Sequence, residues 1–329
     1  MKAASREQRR GMALLTVLLL TATMATVCVA ILDDVRFSVR RTTNAEVMAQ
    51  AQAYAAGAEA LAAAEIGRLT RASPTRTPIQ PAWNGREMAF PVEDGSIRAR
   101  LSDGQACFNV NSLVLGQGED LIVQPEGVAQ FIALGVAVGV PRGRMAGVAD
   151  AIVDWMDADG EVRPGGAEDA RYAARTQPYR TAGVRLAEVS EIRAVQGMDA
   201  ALYRRLRPWL CALPTTRLSP LNPNTLRPDQ APLLVAVSQG RLPSGAAKAA
   251  LAARPAGGWS DIDAFWRQPA LAAARPSEEA RAQLALVTRF FDLDVDVELA
   301  GLKAVRTARL ELAADGTVRT VSRRWTIAE

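Results

Sequence analysis

Six carboxylates fall within the sixteen residues from Asp154 to Asp169: Asp154, Asp157, Asp159, Glu161, Glu168 and Asp169. They surround Gly160 and the Pro164-Gly165-Gly166 turn. Like charges at this density repel unless a cation or cationic side chains neutralise them. Calcium takes about six to eight oxygen ligands from flexible loops, so the composition suits it. The spacing is not that of an EF-hand, because Gly160 follows Asp159 directly. Arg163 and Arg171 offer the other route to neutralisation, and a solvated acidic loop is the reading without a metal. The chain has no His, which argues against zinc and against imidazole acid–base chemistry. Asp154 and Asp157 on neighbouring turns have the look of a hydrolase carboxylate pair. Neither an activated-Ser motif nor a Gly-rich phosphate loop accompanies them.

These carboxylates follow a helical stretch, Met145 to Met156, inside a region that reads as helical from Leu113 to Leu213. Ala129 to Leu134 and Ala200 to Leu210 are further helix candidates. The region contains an internal echo: Asn109-Val110-Asn111-Ser112-Leu113 recurs as Asn222-Pro223-Asn224-Thr225-Leu226. Likewise Leu186-Ala187-Glu188-Val189-Ser190-Glu191-Ile192 recurs as Trp259-Ser260-Asp261-Ile262-Asp263-Ala264-Phe265. A duplicated helical unit with capped helix starts is expected.

Strands flank it. Glu87–Pro91 and Ser96–Ser102 are joined by the hairpin signal Asp94-Gly95, and residues 107–110 are a third candidate. Phe290 to Glu298 alternates, with Leu293, Val295, Val297 and Leu299 on one face and Asp292, Asp294, Asp296 and Glu298 on the other. Residues 303–313 and 317–327 follow as strands around Asp315-Gly316. The expected class is α+β, an antiparallel sheet at 73–112 and 290–329 split by a helical insert at 113–289. Cys107 and Cys211 are either disulfide-bonded or two separate buried thiols.

The N-terminal stretch sets where all of this lies. Met12 to Leu32 carries no charge, with Arg9 and Arg10 before it and Asp33 and Asp34 after it. That is long enough to cross a bilayer core of about 30 Å at roughly 1.5 Å per residue. The basic flank predicts a cytoplasmic N-terminus and a single pass, with the bulk of the chain across the membrane. A cleaved signal peptide would need the poor site near Cys28-Val29-Ala30, and an uncut signal anchor is the other alternative. Helical spacing of Val35, Val39, Ala45, Met48, Ala49, Ala53, Ala56, Ala60 and Ala63 continues the segment to about Arg68, with Arg36, Arg40, Arg41, Glu46 and Glu59 between them. One continuous helix is the first reading; a break near Asn44 is the second. Of the net charge of +4, the residues before Met12 carry +3, so a nucleic-acid footprint is not supported.

Gly11 followed at once by the apolar Met12-Ala13-Leu14-Leu15-Thr16-Val17 resembles the class III leader of pilins and pseudopilins. Asp154-Trp155-Met156-Asp157-Ala158-Asp159, Pro164-Gly165-Gly166-Ala167-Glu168-Asp169 and Tyr172 resemble the K-type minor pseudopilin of type II secretion. The two Asn-x-Asn-Ser/Thr-Leu stretches do so too, as does Leu186-Ala187-Glu188-Val189 leading through Val195-Gln196-Gly197-Met198 to Pro208. The resemblance implies a leader of residues 1–11, cut after Gly11 by a prepilin peptidase with methylation of Met12. It implies a spine helix with a membrane part at 12–33 and a periplasmic part at 34–72, carrying a pilin-like sheet. It implies calcium in the helical domain, with the six acidic residues as the ligand pool. Partners would be minor pseudopilins of types I, J and H, the inner-membrane assembly platform and secreted protein substrates. Most pseudopilins carry Glu at the fifth mature position, which here is Thr16. The K type shares that absence, which implies a non-enzymatic tip subunit that initiates pseudopilus assembly. Met156 and Pro223 depart from the family pattern. Leu186 to Pro208 also resembles a helix–hairpin–helix, and the rival function is DNA binding in an uptake system. Glu188, Glu191 and Asp199 crowd that hairpin and oppose phosphate contact.

Overall fold

The computed structural model describes residues 4–79 and 82–326. Met1 to Ala3 of the leader reading and Ile327 of the last strand lie outside them. One helix, α1 (Ala4–Ala72), runs 69 residues without a break at Asn44, about 100 Å at roughly 1.5 Å per residue. From Met12 to Leu32 its large apolar side chains are all exposed on the isolated chain. Among the described residues, this is the stretch long and apolar enough to cross a membrane. Inside it Thr16, Thr21, Thr23 and Thr26 each donate their hydroxyl to the carbonyl three residues back, at 2.8–2.9 Å. Their polar atoms are thus satisfied within the helix, as a lipid environment demands.

The second half of α1 lies against a five-stranded antiparallel sheet in the order β1 (Arg86–Val92), β2 (Gly95–Asp103), β7 (Phe290–Leu299), β8 (Leu302–Leu312) and β9 (Val318–Thr326). Strand β2 pairs directly with β7, from Gly95↔Leu299 to Asp103↔Phe291, so everything between them is an insertion at one strand junction. The alternation of β7 is that of a sheet with one covered face: Leu293, Val295, Val297 and Leu299 are at most 3% exposed. They meet Ala51, Ala55 and Ile66 of α1. The sequence phase of α1 needs correction here. Val35, Val39, Ala45, Ala49, Ala53, Ala56 and Ala60 are exposed, and the buried row is Ala51, Ala55, Glu59, Ile66 and Leu69. An Ala-rich helix is weakly apolar on every side, so composition leaves its rotation open and the sheet decides it.

The insert begins earlier than Leu113. Phe108, Val110 and Leu113 already belong to its core, and β3 (Phe108–Asn109) pairs in parallel with β6 (Leu210–Cys211) instead of joining the main sheet. The small hairpin β4 (Val114–Gln117) and β5 (Asp120–Val123) interrupts the stretch read as helical. Its Gly116 sits at φ +136°, where a Cβ would meet the Asp120 carbonyl oxygen at 1.8 Å. Helices α2 (Pro125–Ala137), α3 (Arg142–Met156), α4 (Asp169–Ala173) and α5 (Ala200–Leu206) fill the first half. The second half holds α6 (Ala231–Val237), α7 (Ser244–Ala252), α8 (Ile262–Trp266), α9 (Pro269–Ala273) and α10 (Glu278–Ala282).

The echo in sequence is an echo in hydrogen bonds. Asn109 accepts from the Asn111 amide at 3.2 Å, and Asn222 from the Asn224 amide at 2.9 Å. Ser112 and Thr225 both donate to the carbonyl three residues back. Asn111 then clamps Leu186, accepting its N–H at 2.8 Å and donating to its carbonyl at 2.9 Å. Asn224 does the same to Trp259, at 2.7 and 2.9 Å. Each half therefore uses a buried amide to pin the start of its second motif. Removing the Asn111 amide strands three backbone groups, since it also donates to the Leu213 carbonyl, and removing that of Asn224 strands two.

Cys107 and Cys211 are bonded, with Cα atoms 5.7 Å apart, and pack with Leu213 and Phe290. The bond closes a sequence separation of 104 residues around the first half of the insert. Cys107→Ser with Cys211→Ser is expected to cost about 2–4 kcal/mol, the typical effect of losing such a cross-link. A lower melting temperature on calorimetry checks this. Alkylation of the denatured, unreduced chain should label Cys28 alone, since it is the free cysteine.

Candidate metal centre

The acidic loop leaves the C-terminal end of α3, whose buried face includes Val148, Ile152 and Met156. That face turns Asp154 inward as well, to 0% exposure, while Asp157 stops the helix in an extended conformation at 2%. The chain loops out through Asp159 and Glu161, both exposed, and returns through Gly165 and Gly166 to Glu168, at 9%. Ligand oxygens of Asp154, Asp157 and Glu168 lie within 4.8 Å of one another. Gly166 permits the return, because a Cβ there would meet Asp154 Oδ2 at 1.9 Å.

Beneath the loop, Trp155 packs edge-on to Tyr172, with ring centroids 5.3 Å apart, and Tyr172 stacks on Tyr179 at 5.3 Å. The Arg175 guanidinium lies over both tyrosines. The Gln196 amide donates to Tyr172 Oη at 3.1 Å, and Arg175 donates to the Gln196 side chain at 3.0 Å. The hairpin of the DNA-binding reading thus turns this N–H into the aromatic platform instead of toward a phosphate.

The electrostatics are unbalanced. Among the described residues, Asp154 Oδ1, Asp157 Oδ1 and Glu168 Oε1 are buried and lack a hydrogen-bond partner. Arg163 compensates one of them in part. Its amide donates to Asp154 Oδ2 at 3.1 Å, and its Nε stands 3.5 Å from Asp154 Oδ1 without making a hydrogen bond. Burial, ahead of the neighbouring carboxylates, pushes Asp157 up to about 6 and Glu168 up to about 7. Burial raises Asp154 too, against the opposing Arg163 contacts. Three buried acids that resist ionisation, each with an unpartnered oxygen and with ligand oxygens within 4.8 Å of one another, have the chemistry of a donor set for a hard cation.

Of the six residues expected from sequence, the fold brings together three. Asp159 and Glu161 stay at the exposed rim, where Asp159 accepts the Glu161 amide at 2.8 Å. Asp169 turns away and accepts the Thr181 amide and hydroxyl at 2.8 and 2.9 Å. Arg171 is exposed and does not take the neutralising role offered to it. Sequence reasoning missed Asp150, one turn before Asp154, which accepts the Gly165 amide at 3.0 Å and steadies the return of the loop. Its signal was the helical spacing from Asp154.

A membrane-length spine laid on an antiparallel sheet, opened at one strand junction to admit a duplicated helical body, is the architecture of a pilin-like α+β protein. Family models described as "Type II secretion system (T2SS), protein K" match residues 106–215 and 221–287, the two halves of the insert. Type II secretion system protein K of Pectobacterium carotovorum subsp. carotovorum is 35% identical over 97% of each chain. That of Klebsiella pneumoniae is 39% identical over 82% of this chain and 84% of its own. The solved GspK-GspI-GspJ complex from the enterotoxigenic Escherichia coli Type 2 Secretion System contains a chain of 32% identity. It matches with a TM-score of 0.76 over 88% of this chain and 100% of that one. The chain belongs to the type II secretion system protein K family, whose members are minor pseudopilins.

Proposed function

We propose that this minor pseudopilin caps the tip of a type II secretion pseudopilus and initiates its assembly, without catalysis of its own. Thr16 carries the reading. At the fifth position after Gly11 it donates its hydroxyl to the Ala13 carbonyl at 2.9 Å and holds no charge for a neighbour's N-terminal ammonium. An unpaired ammonium in lipid is costly, so a subunit without that acid is poorly suited to receive another above it. The spine anchors in the inner membrane as a single pass, its N-terminus cytoplasmic and its bulk periplasmic. Lateral contacts are with minor pseudopilins of types I and J, the companions of the structural relative in its solved complex, and with type H. The assembly platform and secreted substrates complete the partner set. The acidic loop holds calcium through Asp154, Asp157 and Glu168, and the ion keeps that part of the helical body folded.

Immunogold labelling of assembled pseudopili tests the tip reading. Label at one end only is expected; label distributed along the shaft overturns it. Prepilin peptidase should cut after Gly11, so the purified native chain should begin with methylated Met12. Gly11→Glu is expected to abolish processing and leave a larger band on electrophoresis. A mutant band with wild-type mobility would contradict the leader assignment.

A further inference from the structure

Four chain segments meet at Asp103, the last residue of β2. Its Oδ1 accepts the Gln105 amide at 2.8 Å. Its Oδ2 faces two hydroxyls: that of Thr225 in the second Asn motif, and that of Thr288 on the leg returning to β7, at 3.4 Å. The Asp103 amide donates to Asn84 Oδ1 at 2.9 Å, and the Asn84 side chain donates to the Thr225 carbonyl at 3.4 Å. The Thr288 amide donates to Thr77 Oγ1 at 2.8 Å, just beyond the end of α1. The carboxyl therefore joins the end of the spine, the sheet and the second half of the helical body. The first half is tied to the sheet differently, by Arg309, which donates to the Ala212 carbonyl at 3.0 Å and keeps its charge at every ordinary pH.

The hydroxyl of Thr225 has one proton and two acceptors in reach, Asp103 Oδ2 and the Asn222 carbonyl, the latter at 2.9 Å. In the twin motif Ser112 gives its proton to the Asn109 carbonyl at 2.6 Å, and among the described residues no carboxyl bonds to it. With Thr225 committed in the same way, its contact with Asp103 closes only when the carboxyl supplies the proton. With Asp103 ionised, the hydroxyl must turn from Asn222 to the carboxylate. Among the described residues no cationic side chain pairs with Asp103. The charged group that faces it is Asp292 of β7, whose carboxylate is itself held by Arg309 at 2.7 and 2.9 Å. Its other neighbours, Asn84, Gln105, Thr225 and Thr288, are neutral. Part of the residue still reaches solvent. Burial of the carboxyl nevertheless prevails over the hydrogen bonds from Thr225, Gln105 and Thr288 and, with repulsion from Asp292, pushes it up to about 6.

We propose that Asp103 is a proton-operated latch between the sheet and the second half of the helical body. Protonated, it donates to Thr225 and closes the junction. Ionised, it places a charge without a cationic partner there and loosens the junction. The folded carboxyl holds its proton up to about 6 against an ordinary 3.8, so the latch contributes fully below pH 3.8 and is lost as pH rises through 6. The two halves of the insert then differ in kind: the Arg309 tie of the first is indifferent to pH, and the tie of the second is not. The proposal does not depend on the tip or calcium readings.

Hydrogen–deuterium exchange of the full chain in phosphatidylcholine nanodiscs, read by mass spectrometry and corrected for the chemical exchange rate at each pH, provides the test. Protection of residues 222–226 is expected to fall about tenfold between about pH 5 and pH 8, as linkage requires when opening returns the carboxyl to its ordinary acidity. Residues 109–113, the same motif without a facing carboxyl, should stay level and serve as the internal control. Asp103→Asn keeps the shape and a donor for Thr225 but has no proton to lose, so protection of 222–226 should stay level in that variant. Asp292→Asn removes the facing charge and should move the transition to lower pH. A level response of 222–226 in the wild type, or a fall that survives in Asp103→Asn, overturns the proposal. Where Asp103→Asn does not fold, Asp292→Asn decides: a transition that stays at its wild-type pH overturns it.

Discussion

Chelating calcium from the full chain in detergent is expected to lower the melting temperature of the helical body by about 10 °C. The estimate follows from linkage: at a free ion concentration about a thousand times the dissociation constant, binding to the folded state alone stabilises by about 4 kcal/mol. For a body of this size each kcal/mol shifts the midpoint by about 2–4 °C. Calorimetry with calcium and with excess chelator measures it directly, and superimposable transitions would retire the proposal. Magnesium should restore little of the difference, because it demands a tight octahedron and gives up its waters reluctantly. A variant supplies a test of sign. Asp157→Asn removes one of the three oxygen donors and one of the three buried charges. It should therefore be less stable than wild type with calcium present, yet at least as stable once both are chelated, because the remaining acids repel less. A purely packing role for Asp157 predicts loss under both conditions.

The parts of this fold that sequence made legible are those where one physical constraint acts alone. Strand β7 is covered mainly on one face, so its alternation maps directly onto burial from Phe291 to Leu299, while Phe290, on the other face, is buried against the disulfide. Asp94-Gly95 and Asp315-Gly316 meet a turn requirement that few residues satisfy, with Asp94 at φ +59° and Gly316 at φ +82°. The two Asn motifs are visible because a buried amide that satisfies both groups of a distant peptide has few substitutes. Where two constraints compete the reading fails. The β4–β5 hairpin lies inside helical patterning, and its strands of four residues are too short to show a period. Within the acidic loop, all six carboxylates look equivalent in sequence. What separates Asp154, Asp157 and Glu168 from the rest is the depth of α3 and the return at Gly166, neither of which composition records. Thr181, twelve residues beyond Asp169, is what removes Asp169 from the set.

Glu59 was legible as a charged residue of the spine and nothing more, yet it ties the spine to the sheet through hydrogen bonds from Arg306, Thr320 and Arg323. It is 5% exposed on α1. Burial works against its charge, but hydrogen bonds from Arg323, Thr320 and Arg306 prevail and hold its carboxyl down at about 2. Arg323 donates at 2.7 Å and Thr320 at 2.5 Å, while Arg306, itself buried, also lies under the Trp325 ring at 4.7 Å. Glu59→Ala leaves the Arg306 guanidinium buried without its carboxylate, a change that costs about 3–5 kcal/mol when the surviving charge has no route to water. The expected result is a marked fall in the denaturant midpoint for the sheet and spine, with the transition of the helical body preserved. Arg323→Ala should cost less, because that side chain is 55% exposed and its charge is already solvated. Replacing Glu59 and Arg306 together by Met should recover most of the loss, since an apolar pair of similar volume has no charge to strand. Because the folded carboxyl titrates at about 2 against an ordinary 4.5, its contribution is fully present above pH 4.5 and disappears as pH falls through 2. The double Met variant should therefore lose less stability than wild type over that interval. An equal acid sensitivity in the two proteins would place the binding of the spine in the apolar row of Ala51, Ala55 and Ile66 and not in the ion pair.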